Sequence, residues 1–356
     1  MTKKKESKFN QKYEVVDAFR FFFFLVILIF GVSFVFDLIL NIVSSSRGIK
    51  YDDLCNLEIV QIISQALTPI TLIIYFIIYN SIRKIKFSEA FGEEERISLL
   101  PISVAIVLAI IAIFLFTPLM NLIDYWFQSG GYNPDNTIPL EQKMKDGGAY
   151  LGIGIIIYAL LPAIAEEIVF RGVIQKSLLS KFSGFVAVFF SSVLFVLMHG
   201  ALQQTVYQLV MAIMLGYLAC VGGSIVYSII LHFLNNALVV LFSCFDIVSY
   251  LSAENTIYYN VFSMIFPFCL FLLGVILVGI LFWVLKYLRN KNFFRYESKT
   301  ARKLRKQKEL ELSNQKKLGL KDFWGNITQV EKLFMLISVA LIGFLWLVNT
   351  INGFIV

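Results

Sequence analysis

The chain is divided by apolar runs, several of which approach or exceed the length needed to cross a bilayer, and that feature decides what it can fold into. The runs fall at 21–43, 59–79, 99–123, 150–182, 185–199, 205–221, 224–245, 260–285 and 332–349. About 20 apolar residues in helical form span the hydrocarbon layer. Inside it every backbone N–H and C=O must be bonded within the segment or a closed barrel, so runs of this kind become helices. The expected fold is all-α, a polytopic transmembrane helical bundle of about nine spans. Composition agrees: 58% of residues are hydrophobic and the mean hydropathy is +0.77, against about 45–50% apolar in soluble domains.

A net charge of +7 in such a chain does not point to nucleic acid. Lys and Arg of membrane proteins gather on cytoplasmic loops and set orientation. The basic loops here alternate with others consistently if the N-terminus is cytoplasmic. Residues 1–20 read as a polar, basic tail and 21–43 as a first membrane helix rather than a signal peptide, since no small-x-small cleavage site follows. Asp37 reads as a carboxylate near the outer interface, and Pro69 as a kink in the second helix. An acidic patch follows at 93–95. The loop 124–148 is rich in turn signals, including Asn133-Pro134 and paired glycines. The loop 246–259 is expected outside. The stretch 286–330 is dense in Lys and Arg (Arg295, Lys299, Arg302, Lys303, Arg305, Lys308 among them) and reads as a solvated cytoplasmic segment held near anionic lipid. Four scattered cysteines, with no CxxC, suggest neither a disulfide framework nor a zinc knuckle. Three regions follow: 1–148 with N-terminal helices and loops, 149–245 as a membrane core carrying the polar residues, and 246–356 with C-terminal helices and the basic segment.

Within the fourth run stands Ala-Glu-Glu-Ile-Val-Phe-Arg, 165–171. An acidic side chain at the centre of a membrane helix costs about 2.5–3.5 kcal/mol on insertion scales, so two adjacent ones need partners. Glu167 and Arg171 are four apart and share a helix face. Glu166 points about 100° away. His199 and His232 are the only histidines in the chain. Glu166 lies 17 positions before Ser183 and His199 lies 16 after it. A hairpin turning at Ser183 sets the two level, about 15 Å in from Lys176. His232 and Asn236 share a face of the seventh helix, and His232 lies about 13 Å past the Gly222-Gly223 turn. One carboxylate, two imidazoles and an amide can therefore converge in the inner half of the bundle. A buried carboxylate is a better base, and imidazole and carboxamide can donate to an oxyanion. The set suits hydrolysis by an activated water, and no Ser or Cys has a convincing base.

These residues resemble a known family. Glu166-Glu167-x-x-x-Arg171, Phe195-x-x-x-His199 and His232-x-x-x-Asn236 look like the three ordered motifs of the CPBP group, the CAAX-processing and bacteriocin-associated membrane endopeptidases also called Abi proteins, which include the type II CAAX prenyl endopeptidases. The resemblance covers about 150–245. It implies that Glu166 activates water, His199 positions it, Glu167 and Arg171 support the first motif, and His232 and Asn236 stabilise the oxyanion. It leaves the cofactor open. No obligatory metal is the favoured reading, and zinc on Glu166, His199 and His232 is the alternative, since two His and a carboxylate can make a three-ligand site. Implied partners are a peptide or prenylated protein substrate and the lipid bilayer. Compact length and motif spacing look like a prokaryotic cell-membrane member. Two other readings compete: a non-proteolytic immunity or regulatory scaffold that kept the pocket, and a small transporter using Glu166 in proton coupling. The last is disfavoured because the sequence has no repeats or paired broken helices.

Overall fold

The computed structural model describes residues 12–92, 97–132, 139–145, 147–200, 204–245, 261–290 and 317–355. The lysines at 3–8, the acidic patch 93–95, the Asn133-Pro134 turn, the loop 246–259 and the basic residues from 295 to 316 lie outside the described residues. Among the described residues nine long helices carry the fold: α1 Val15–Arg47, α2 Glu58–Arg83, α3 Leu99–Ser129, α4 Gly148–Leu179, α5 Gly184–His199, α6 Thr205–Gly222, α7 Ile225–Cys244, α8 Val261–Asn290 and α9 Gln329–Ile355. Among the described residues, all but α5 are long and apolar enough to cross a membrane. α5 has 16 residues, about 24 Å of helix, short of the hydrocarbon thickness. There is no β-strand among the described residues, only two isolated bridges.

α4 is the axis of the bundle. Half of its most apolar window is buried, against 11% for α9, and it touches α1, α2, α5, α6 and α7. α3 packs on α7, α8 covers α3, and α9 lies against α1 and α5. Side chains such as Phe34, Ile276 and Leu347 face outward, as a bilayer solvent requires. α4 is not uniform. It widens into π-type turns at Ile155–Leu160 and again at Ile168–Gln175, leaving Leu161–Glu167 as ordinary helix between them. Each wide turn absorbs a residue, which a count at 3.6 per turn does not detect. Such turns recur at functional sites.

Two sequence expectations are corrected here. Residues 12–20 are not simply a tail. α1 begins at Val15, and Asp17 in its first turn is fully buried. Its carboxylate accepts from Tyr79 Oη at 2.7 Å and from Arg83 Nε at 2.8 Å, and it caps the Glu14 N–H at 2.8 Å. Asp17 and Arg20 interrupt the apolar run in sequence, but Arg83 at the end of α2 supplies the charge that lets the run continue inward.

The second correction concerns the basic stretch, of which 317–328 docks on the bundle through Phe323 and Ile327 while most of its other residues stay exposed. Leu318 exchanges backbone bonds with Ser183 and Lys181, at 2.9 and 3.2 Å. Lys317 Nζ donates to the carbonyls of Leu179 and Ser180, both at 3.0 Å. Those are end-of-helix carbonyls with no intrahelical donor. Phe323 is 2% exposed and stacks on Phe190, with centroids 3.7 Å apart. Here the buried apolar residues are few, Phe323 and Ile327, while Leu320 and Trp324 stay exposed. Phe323→Ala is expected to lose about 3–5 kcal/mol, the range for removing a buried Phe, read as a lower Tm of the detergent-solubilised protein. An unchanged Tm would show that the segment does not dock.

Candidate active site

The expected α4–α5 hairpin forms. Ser183 caps α5, accepting from Val186 N, and the chain doubles back so that His199 meets Glu166. Gly200, at φ 66, ends α5 directly after His199, a left-handed position where an L side chain is strained. His199 Nδ1 lies 2.9 Å from the Phe195 carbonyl. A carbonyl only accepts, so Nδ1 carries the proton and Nε2 faces inward, 3.7 Å from Glu166 Oε2. His232, from α7, repeats the arrangement. Its Nδ1 lies 3.1 Å from Glu167 Oε1, and its Nε2 is 3.8 Å from the same Glu166 oxygen.

Glu166 and Glu167 separate in role as the geometry of α4 dictates. Glu166 has a side chain 18% exposed, and among the described residues its Oε2 has no hydrogen-bond partner. Its distances to the two imidazoles are too long for direct hydrogen bonds, and short enough for one water to touch the carboxylate and an imidazole together. Glu167 is fully buried. It holds Arg171 Nη1 at 3.0 Å as well as His232. Its bond to His232 is new information: the sequence pairs Glu167 with Arg171 alone. Arg171 lies with its guanidinium 4.6 Å above the Phe195 ring and donates from Nη2 to the Ala212 carbonyl at 3.0 Å. One turn along, Gln175 donates to the Gly216 carbonyl at 2.9 Å. Gly216 permits that approach, because a Cβ there would stand 2.7 Å from Gln175 Oε1.

Phe195 has a larger part than its place in a motif suggests. Its ring lies against the Arg171 guanidinium and near both imidazoles, with centroid distances of 4.4 Å to His199 and 5.9 Å to His232. From α9, Trp346 Nε1 donates to the Leu197 carbonyl at 3.0 Å, bracing the last turn of α5 below His199. Asn236 lines the same cavity as Glu166 and both histidines. Its neighbour Asn235 accepts from the Tyr207 hydroxyl and donates to Asn236 Oδ1 at 3.4 Å, which turns the Asn236 amide donors away from Asn235. Nothing in the sequence signals Tyr207, because its place at the start of α6 carries no spacing relation to α7.

The cavity holds about 640 Å³ and is lined by α2 through α7. Glu166, His199 and His232 are donor types that zinc takes. Bonds of 2.0–2.1 Å to a tetrahedral ion set donors roughly 3.4 Å apart. The Glu166 oxygen is farther than that from both imidazoles, and among the described residues no group of three His, Cys, Asp or Glu is arranged to hold a metal ion. As placed, the donors stand a few tenths of an ångström wider than a closed tetrahedral set, and no step is routed through a metal.

A polytopic helical bundle with a carboxylate facing two oriented imidazoles defines, by fold and site, an integral membrane protein with a polar cavity among its helices. Residues 149–238 match the family described as type II CAAX prenyl endopeptidase Rce1-like, the family that the three motifs resemble. The match covers about a quarter of the chain, all of it in α4 to α7, and supports a CAAX-type intramembrane protease at the level of the family. No curated protein and no solved structure matches the chain significantly.

Proposed function

We propose that the chain is an intramembrane endopeptidase that hydrolyses a peptide bond with a water activated by Glu166. The observation that carries this reading is the convergence of two imidazoles, each with its Nδ1 proton committed elsewhere, on one unbonded carboxylate oxygen at 3.7 and 3.8 Å. In this reading a water sits between Glu166 and His199. Its oxygen attacks the scissile carbonyl carbon while its proton passes to the Glu166 carboxylate. The carbonyl oxygen becomes an oxyanion, met by donors from Asn236 and from His232 Nε2 when that ring carries both protons. Collapse breaks the C–N bond, and Glu166 returns the proton to the leaving nitrogen. The products are one carboxylate and one amine, and Glu166 ends as it began. A base of this kind contributes about two to four orders of magnitude in rate, and an oxyanion donor about two to three. Glu167 and Arg171 touch no substrate. They hold His232 and close the floor of the site. The substrate class follows the family: a prenylated protein or a peptide.

The test is cleavage of prenylated and unprenylated peptides by the purified full chain, beside His199→Ala and His232→Ala. Both variants are expected to lose turnover while staying folded. Turnover at the wild-type rate in both would remove the reading. A chelator decides the cofactor. Activity is expected to survive it, with zinc well below one per chain by metal analysis. Loss on chelation with recovery on added zinc would establish the zinc alternative on Glu166, His199 and His232.

A further inference from the structure

A second cavity lies apart from the candidate active site, where α5 and α8 both pack on α6. It holds about 550 Å³. Phe185, Val188 and Phe189 of α5 and Ile213, Tyr217 and Val221 of α6 make its apolar walls. Phe185, Phe189 and Ile213 are exposed, so the cavity is a groove open toward lipid. It shares no residue with the cavity around Glu166. His199 lies about 15 Å farther along α5 than Phe189.

One charged residue lines the groove, Lys286 of α8. It is exposed and pairs with no carboxylate among the described residues. Its neighbours on α8 fix its depth. Trp283 and Tyr287 are both exposed and stack on each other, with centroids 5.8 Å apart. Exposed Trp and Tyr collect at the membrane–water interface, and a lysine there extends its ammonium to the head-group level. The walls agree with that depth. Gly184 opens α5 directly after the Ser183 cap, and Val221 stands beside the glycine end of α6. From Val221 to Ile213 the groove runs about 12 Å along α6, away from those helix ends. It is therefore apolar within the bilayer and cationic at its mouth.

We propose that this groove binds an anionic phospholipid, with an acyl chain against α5 and α6 and the phosphate at Lys286. Apolar walls do not select among lipids, because lipid tails are as apolar as the side chains they meet. Selection falls to the head group, where the unpaired ammonium favours net negative charge. The groove also stands against the turns of α6 that the buried polar chain of α4 grips from within. Cys220 lines the groove, and its Sγ takes a hydrogen bond from Gln175 Nε2 at 3.1 Å. The same Nε2 donates to the Gly216 carbonyl, and Arg171 holds the Ala212 carbonyl one turn earlier. A ligand that binds the folded bundle and not the unfolded chain stabilises it, so a seated lipid raises the Tm. The proposal does not depend on the endopeptidase reading.

The purified full chain in detergent is titrated with phosphatidylglycerol and with phosphatidylcholine of the same acyl chains. Bound lipid is counted by native mass spectrometry, and stability is read as Tm. Phosphatidylglycerol is expected to bind about fivefold more tightly, the effect of one lysine at an anionic surface, and to raise the Tm further. Lys286→Gln is expected to abolish that preference. A Cβ on Gly184 would meet nothing within 4 Å, so Gly184→Phe adds a ring at the groove mouth without a clash. It is expected to lose the preferred lipid, and the lipid-free Tm of each variant shows that it is folded. Equal binding of the two lipids by the wild type overturns the proposal, as does the wild-type preference retained in either variant. An equal rise in Tm with glycerol phosphate, which carries the charge without a chain, overturns it as well.

Discussion

Glu166→Gln is expected to yield a folded protein that no longer cleaves peptide. The change keeps the shape of the side chain and removes only its capacity to accept a proton. Because Glu166 Oε2 has no hydrogen-bond partner among the described residues and the side chain is 18% exposed, little stabilising interaction is lost and the Tm should move little. The rate is another matter. A positioned general base contributes about 10²–10⁴-fold, and here the same group also returns the proton to the leaving nitrogen. Peptide turnover is therefore expected to fall at least a thousandfold. A variant that retains a tenth of wild-type turnover would show that another group is the base.

The largest effect on stability is expected at Arg171. Arg171→Met leaves the Glu167 carboxylate fully buried, with His232 and Ser228 beside it but no guanidinium to pair with. Removing one partner of a buried ion pair costs about 3–5 kcal/mol, because the remaining charge stays uncompensated. The paired replacement Glu167→Leu with Arg171→Met should recover most of that loss, since apolar residues of similar volume often replace a buried pair at little or no cost. It should not recover activity. Without the Glu167 oxygen at 3.1 Å, nothing fixes the His232 ring with Nε2 toward Glu166. Thermal unfolding and peptide turnover of the two single and the double variant separate these effects. If the double variant were as unstable as the sum of the singles, the pair would not be acting as a pair.

Much of this molecule was legible before the structure. The apolar runs locate nine helices, because lipid leaves a backbone few alternatives. The Ser183 turn with equal arms places Glu166 opposite His199, and the Gly222-Gly223 turn brings His232 to the same depth. What sequence reading missed has physical reasons. Asp17 looks like the end of the membrane run because its partner, Arg83, is 66 residues away. The π-type turns of α4 leave no composition signal. The docking of 317–328 rests on a few apolar residues, Phe323 foremost, set among lysines. The link from Glu167 to His232 and the relay through Tyr207 and Asn235 join helices that only tertiary packing brings together. They were closed to any argument from spacing along one helix.

The central claim is hydrolysis of a peptide bond that depends on Glu166. It is tested most directly by mass spectrometry of an internally labelled peptide incubated with the purified full chain in detergent, with Glu166→Gln alongside. The account predicts two products from the wild type, with masses that sum to the peptide plus one water, and intact peptide from the variant. Intact peptide in both samples across prenylated and unprenylated sequences, or equal cleavage in both, would contradict it.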